Sequence, residues 1–188
     1  MNLSTIENSF TLTQASLASG LPRSLVHKVV EGGFLSPHAK GVARGVPRLV
    51  TFDQVVYLRL EAEGVRWLSP SLRYEIARAF ESSPDVDVLS VPRAPALLIQ
   101  VKEARRVVER EVKKLRKLER LIVSDPEILN GRALFRGTQI PVDSVANLIE
   151  QRMSVEGILA LHPELRAEHV ECAPQYMTAF PRRGRPPL

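Results

Sequence analysis

Among its 188 residues the chain has a single cysteine, Cys172. An internal disulfide and a thiolate zinc cluster are therefore excluded. No apolar run opens the sequence, so nothing suggests export or a membrane span, and a reducing cytoplasm is the expected compartment. A Ser/His/Asp set, a phosphate-cradling glycine loop and a carboxylate pair at useful spacing are also missing. The chain is therefore not expected to be an enzyme or to carry a cofactor. His169 and Cys172, three residues apart, are two potential metal ligands with no third nearby, which does not make a metal site.

What is present is enough for a folded protein. Hydrophobic residues make up 44% of the chain, and its length suits two small domains. The net charge of +5 and pI of 9.7 hint at a polyanionic partner, and the placement of charge says more than the total. Residues 1–51 hold Arg23, Lys28, Lys40, Arg44 and Arg48 against Glu7 and Glu31. Residues 102–120 are also strongly basic, whereas residues 121–181 hold four Arg against eight acids. Positive charge thus sits in the first domain, one helix and the tail.

Thr11 to Phe34 predicts helix, tight turn, helix and a glycine stop. Thr11 or Thr13 caps the first helix, Gly20 ends it, Pro22 suits the entry to the second, and Gly32-Gly33 closes that one. Leu25, Val26, Val29 and Val30 give the second helix an apolar face. Arg23, Ser24, His27 and Lys28 lie on its other side, where a recognition helix presents side chains to the major groove. The glycine-rich segment that follows carries Lys40, Arg44 and Arg48, as a DNA-contacting wing does. Asp53 is then expected to cap a helix. This order resembles the winged helix of MerR-like regulators.

Farther on, Trp67 is read as a core anchor, and Ser69-Pro70 starts a helix. Val86 to Ile99 suggests a hairpin turning at Pro92 to Pro95. Gln100 to Leu121 is a helix with an apolar stripe at Val101, Ala104, Val108, Val112, Leu115, Leu118 and Ile122, suited to separating two domains or zipping two subunits. A homodimer is expected because two DNA half-sites require a two-fold axis.

The densest backbone instructions lie between Ser124 and Ser144. Asn130-Gly131 suits a tight turn, Arg132 to Arg136 an extended piece, Gly137-Thr138 a break, and Pro141 delays the next helix to Val142 or Asp143. Leu134 or Phe135, Ile140 and Val142 are expected to cover its base. Val123, Ser124, Asp125, Pro126, Gly131, Arg136, Gly137, Thr138, Ile140, Pro141 and Val142 resemble the hallmark of the domain-of-unknown-function family 433, with Gln139 where that family usually has Arg. Three helices follow, the third interrupted by Pro174, whose first turn is expected to be separate. The unit looks like a second helix-turn-helix, but its acidity favours protein contact over DNA.

The tail from Pro181 carries Arg182, Arg183 and Arg185. It suits the acidic, metal-binding pocket of a nuclease, or an A·T-rich minor groove in the manner of an AT-hook, or a solubilising end. The expected fold is mainly α with short β elements: a winged helix-turn-helix over residues 1–66, a helix, hairpin and long connecting helix over 67–121, a three-helix domain preceded by a short β element over 122–180, and the basic tail 181–188. Together the two resemblances imply a VapB-type antitoxin of a type II toxin-antitoxin system that represses its own operator and neutralises a PIN-like ribonuclease, with Arg182, Arg183 and Arg185 on the toxin. The alternative is a stand-alone MerR-like regulator whose second domain binds an effector or a protein.

Overall fold

Residues 9–35, 48–124 and 132–180 are described by the computed structural model. Their elements are eight α-helices, one short 3₁₀ turn and three two-stranded antiparallel sheets, so the chain is mainly α with short β elements. The chain divides into two compact units, Met1–Val112 and Lys113–Leu188.

In the first unit, β1 (Ser9–Thr11) runs directly into α1 (Leu12–Ser19), and β2 (Leu49–Thr51) into α3 (Phe52–Glu63). The strands pair with Phe10 opposite Val50, both buried. The two strand-to-helix junctions use one device. The Thr11 hydroxyl accepts from the Gln14 N–H at 3.2 Å, and the Gln14 side-chain oxygen accepts from the Thr11 N–H at 2.8 Å. Thr51 and Gln54 repeat this at 3.2 and 3.0 Å. Each reciprocal cap satisfies two orphan donors and contributes about 1 kcal/mol. Thr51, not Asp53, is therefore the cap of α3. Asp53 sits in the first helical turn and accepts from the Arg105 guanidinium at 3.2 Å.

Between α1 and α2 (Arg23–Glu31) the chain turns at Gly20, Leu21 and Pro22. Gly20 ends α1 at φ +73°, its N–H bonded to the Ser16 carbonyl at 2.9 Å. A Cβ there would be strained and would lie 3.2 Å from the Arg59 guanidinium, so the turn needs glycine. The Ser16 hydroxyl donates to the Leu21 carbonyl at 2.7 Å, and Leu21 is buried.

After α3, a 3₁₀ turn (Val65–Trp67) leads to α4 (Pro70–Ser82), capped by Ser69. The turn buries Val65 and leaves Trp67 78% exposed, with the Arg66 guanidinium 4.8 Å from its ring centroid. Trp67 is thus no core anchor; the turn directs the smaller neighbour inward. The hairpin is β3 (Val88–Val91) and β4 (Ala94–Gln100), with Pro92 and Arg93 at the turn. Leu89 and Val91 face the core.

The long helix α5 (Val101–Leu121) contains the division between units. Val101, Ala104 and Val108 are buried in its first half, and Leu115 and Leu118, with Ile122 just beyond, in its second. The stripe, expected either to separate two domains or to zip two subunits, is covered within one chain except at half-buried Val112, where the two units meet in the sequence.

In the second unit, β5 (Ile122–Ser124) pairs with β6 (Ala133–Phe135), and α6 (Val142–Glu150), α7 (Val155–Leu161) and α8 (Ala167–Ala179) follow. Leu134, Phe135, Ile140 and Val142 are all buried at the base of α6. The Ser154 hydroxyl caps α7 by accepting from the Gly157 N–H at 3.1 Å. α8 is one helix through Pro174, so its first turn is not separate; a single missing donor costs a bond that the buried Val170, Cys172 and Ala173 outweigh. The tight turn expected at Asn130-Gly131 lies outside the described residues. Among those described, no helix is long and apolar enough to cross a membrane.

Candidate nucleic-acid interface and signature turn

Helix α2 has two different sides. Val26 and Val29 are buried, while Arg23, Ser24 and Lys28 are exposed and His27 is half-buried. At about 100° per residue, positions 23, 24, 27 and 28 occupy one sector, so the four side chains proposed as groove-facing do share a face. Glu31 falls in the same sector and is exposed. Its carboxylate lies 3.3 Å from the Arg48 guanidinium, which brings Arg48 to the C-terminal end of that face. An exposed pair of this kind contributes at most about 1 kcal/mol, so a phosphate can compete for Arg48. Lys40 and Arg44 lie outside the described residues.

What holds α2 in place was not evident from the sequence. Glu61, on α3, is fully buried, and its carboxylate accepts from the Arg73 guanidinium of α4 at 3.1 and 3.0 Å. The Tyr57 hydroxyl donates to Glu61 at 2.8 Å and lies 3.2 Å from the Arg73 carbonyl. Burial, and then the neighbouring Glu61, push the Tyr57 hydroxyl well above its ordinary pKa. The other side of Arg73 faces the Phe34 ring, 4.1 Å from its centroid. Phe34 follows the glycines that close α2, so this cluster fastens the end of α2 to α3 and α4. The spacing of Tyr57 and Glu61, four apart on one helix, was the available signal.

The second unit is built around its own turn. Phe135 accepts the Thr138 N–H at 3.0 Å across Arg136 and Gly137, and Gly137 has φ +81°, as the third residue of a type II turn requires. The Thr138 hydroxyl donates to the Phe135 carbonyl at 3.0 Å and accepts from the Ile140 N–H at 3.1 Å. The Phe135 N–H returns to the Ile140 carbonyl at 3.1 Å. Arg136 reaches the C-terminal end of α5, its N–H bonded to the Leu121 carbonyl and its guanidinium to that of Arg120, both at 2.8 Å. A cation satisfying terminal carbonyls complements the helix dipole. Pro141 then precedes α6, which opens at Val142. Gln139 is exposed.

Residues 122–177 match the family described as Protein of unknown function (DUF433). The DUF433 segment therefore begins at β5 and ends within α8, and the hydrogen bonds around Arg136, Gly137, Thr138 and Pro141 give its signature a structural purpose. The chain is also similar to "Uncharacterized protein y4eO" of Sinorhizobium fredii (strain NBRC 101917 / NGR234), at 42% identity over 65 residues. That similarity covers 35% of this chain and 29% of the relative, so the chain spans under a third of the relative's length in the alignment.

Within the DUF433 unit, Arg132 pairs with Asp143 in the first turn of α6 at 3.0 Å. His169 is buried, its Nδ1 accepting the Arg166 N–H at 3.2 Å and its Nε2 lying 3.4 Å from the Arg166 guanidinium. Its ring packs on Phe135 with centroids 5.2 Å apart. Burial, and then the Arg166 cation, hold the imidazole below its ordinary pKa. The Cys172 thiol donates to the His169 carbonyl at 3.3 Å and is pushed up to about 11, chiefly by burial. Both side chains thus serve the start of α8. Arg182, Arg183 and Arg185 lie outside the described residues.

Proposed function

We propose that this protein is an antitoxin with two tasks, acting in the cytoplasm. Its first unit is a MerR-like winged helix that binds operator DNA through Arg23, Ser24, His27 and Lys28 on α2 and through Lys40, Arg44 and Arg48 on the wing. Its DUF433 unit and the tail residues Arg182, Arg183 and Arg185 bind and silence a PIN-like ribonuclease. The observation that carries the reading is the two-sidedness of α2: three exposed polar side chains opposite buried valines, on a helix fastened at both ends. Backbone charge neutralisation by Arg and Lys supplies affinity, and base contacts from such a face supply specificity.

The order of β1, α1, glycine turn, α2 and a returning β2 supports the winged-helix part, and the acidic composition of residues 121–181 supports protein rather than DNA as the second unit's partner. Two assays test it. The intact chain should retard its own promoter fragment, and Arg23→Ala with Lys28→Ala should weaken that binding at least tenfold. Co-expressed with the neighbouring reading frame, it should co-purify with a ribonuclease and inhibit it, and removing residues 181–188 should release the activity. Retardation without any captured nuclease would leave a stand-alone regulator. Failure to retard the promoter fragment together with failure to capture a nuclease would overturn the proposal.

A further inference from the structure

The hairpin β3–β4 is a sheet of two strands, and among the described residues no strand lies on the outer side of β4. Its seven residues, Ala-Pro-Ala-Leu-Leu-Ile-Gln, carry no charge. Natural edge strands are usually blunted by charge, proline or a bulge. Pro95 and the register irregularity beside Val91 blunt the first half of β4; the half from Leu98 to Gln100 has neither.

The ladder shows which backbone groups point outward. The Val101 N–H donates to the Asp87 carbonyl at 2.9 Å, so that level of the hairpin is hydrogen-bonded. Bonded and open levels alternate in antiparallel pairs, which makes Leu89 with Ile99 bonded, and Val88 with Gln100 and Ser90 with Leu98 open. The N–H and C=O of Leu98 and the N–H of Gln100 therefore face away from β3, while the Gln100 carbonyl, directly before Val101, is the first acceptor of α5. Their side chains share an uncharged, exposed face with Val88 and Ser90, and Leu98 is 59% exposed. The cations at either end of the strand are neutralised within the chain, Arg93 by Glu75 at 3.3 Å and Lys102 by Asp87.

We propose that this edge joins two copies of the chain, β4 against β4, about a two-fold axis at Ile99. Leu98 then lies opposite Gln100 of the second copy and the reverse, so that each Gln100 N–H donates to the facing Leu98 carbonyl, which makes about two main-chain hydrogen bonds and one four-stranded sheet. A second copy suits the edge because a neutral strand with internally neutralised flanks meets no like charge when paired with itself. The inference goes beyond the proposed function and does not depend on it, since it is read without DNA or toxin.

Light scattering on the intact chain at micromolar concentration should give twice the chain mass. Leu98→Lys, at an exposed site, sets two ammonium groups near the axis and should halve the mass with the circular dichroism spectrum unchanged. Ile99→Cys should form an inter-chain disulfide on mild oxidation, since facing residues at an open level are about 4.5 Å apart between Cα atoms; the wild type, whose cysteine is buried, should not. A monomeric wild type, or a dimer that survives Leu98→Lys and leaves Ile99→Cys uncrosslinked, would overturn the proposal.

Discussion

Removing the cation from the Tyr57–Glu61–Arg73 cluster tests how the first unit is held together. In Arg73→Ala the Glu61 carboxylate loses both guanidinium bonds while remaining fully buried. A stranded charge of this kind costs about 3–5 kcal/mol, largely its unpaid desolvation. Against a typical domain stability of about 5–15 kcal/mol, that is a large share, and in a unit near 100 residues it should lower Tm by at least about 12 °C. The paired replacement Glu61→Met with Arg73→Met leaves no charge to strand, and Tyr57 keeps the Arg73 main-chain carbonyl at 3.2 Å as an acceptor. It should recover most of the loss. Urea denaturation followed by far-ultraviolet circular dichroism is the suitable assay, because Trp67 is exposed and its fluorescence is a poor reporter of unfolding. If Arg73→Ala costs under about 1 kcal/mol, within the range of an exposed pair, Glu61 is not a desolvated charge held by Arg73 and the reasoning fails.

Three further outcomes follow from single positions. Gly137 has φ +81° and open space where a Cβ would go, so Gly137→Ala should cost only the backbone term, about 1–2 kcal/mol, with Gly137→Asn losing less; equal stability of all three in denaturant titrations would mean the turn is not type II. His169 has a lowered pKa in the fold, so below its ordinary value of about 6.5 the unfolded chain binds the extra proton and stability falls as pH drops, levelling off beneath the folded value. His169→Gln keeps an acceptor for the Arg166 N–H and should flatten that part of a Tm-against-pH curve. Glu31→Gln frees Arg48 from its carboxylate, and if Arg48 then takes one phosphate, the slope of log K against log salt in anisotropy titrations of the promoter fragment should steepen by about 0.9; an unchanged slope would place Arg48 away from the DNA.

The features that could be read from the chain were those fixed by local chemistry. Thr11, Gly20, Ser69, Ser154 and Pro141 each act within a few residues, and each stands at the helix end that its backbone preference implies. The hairpin and the helix ending at Leu121 are legible for the same reason, although the turn expected over Pro92 to Pro95 is confined to Pro92 and Arg93, with Ala94 and Pro95 already in β4. Features that depend on distant partners did not. The size of Trp67 predicts a core position, but one 3₁₀ turn decides between it and Val65. Asp53 is the sequence's candidate for the cap of α3, but Thr51 and Gln54 take that role and leave it to Arg105, 52 residues away.

The stripe of α5 and the charge of α2 share one limit. Periodicity shows that Val101, Ala104, Val108, Leu115 and Leu118 must be covered, but not whether by the same chain or another. Here residues of the same chain cover them, and the two-fold proposed above lies instead at the uncharged edge of β4, which no helical periodicity flags. A count of charge likewise finds residues 1–51 basic without saying that Glu31 lies in the middle of the α2 face, with Arg48 against it. A face that mixes one acid with Arg23 and Lys28 is less suited to binding any DNA indiscriminately than one of cations alone. On the proposed DNA-binding reading, its preference among sequences comes from Ser24, His27 and the base edges they can reach.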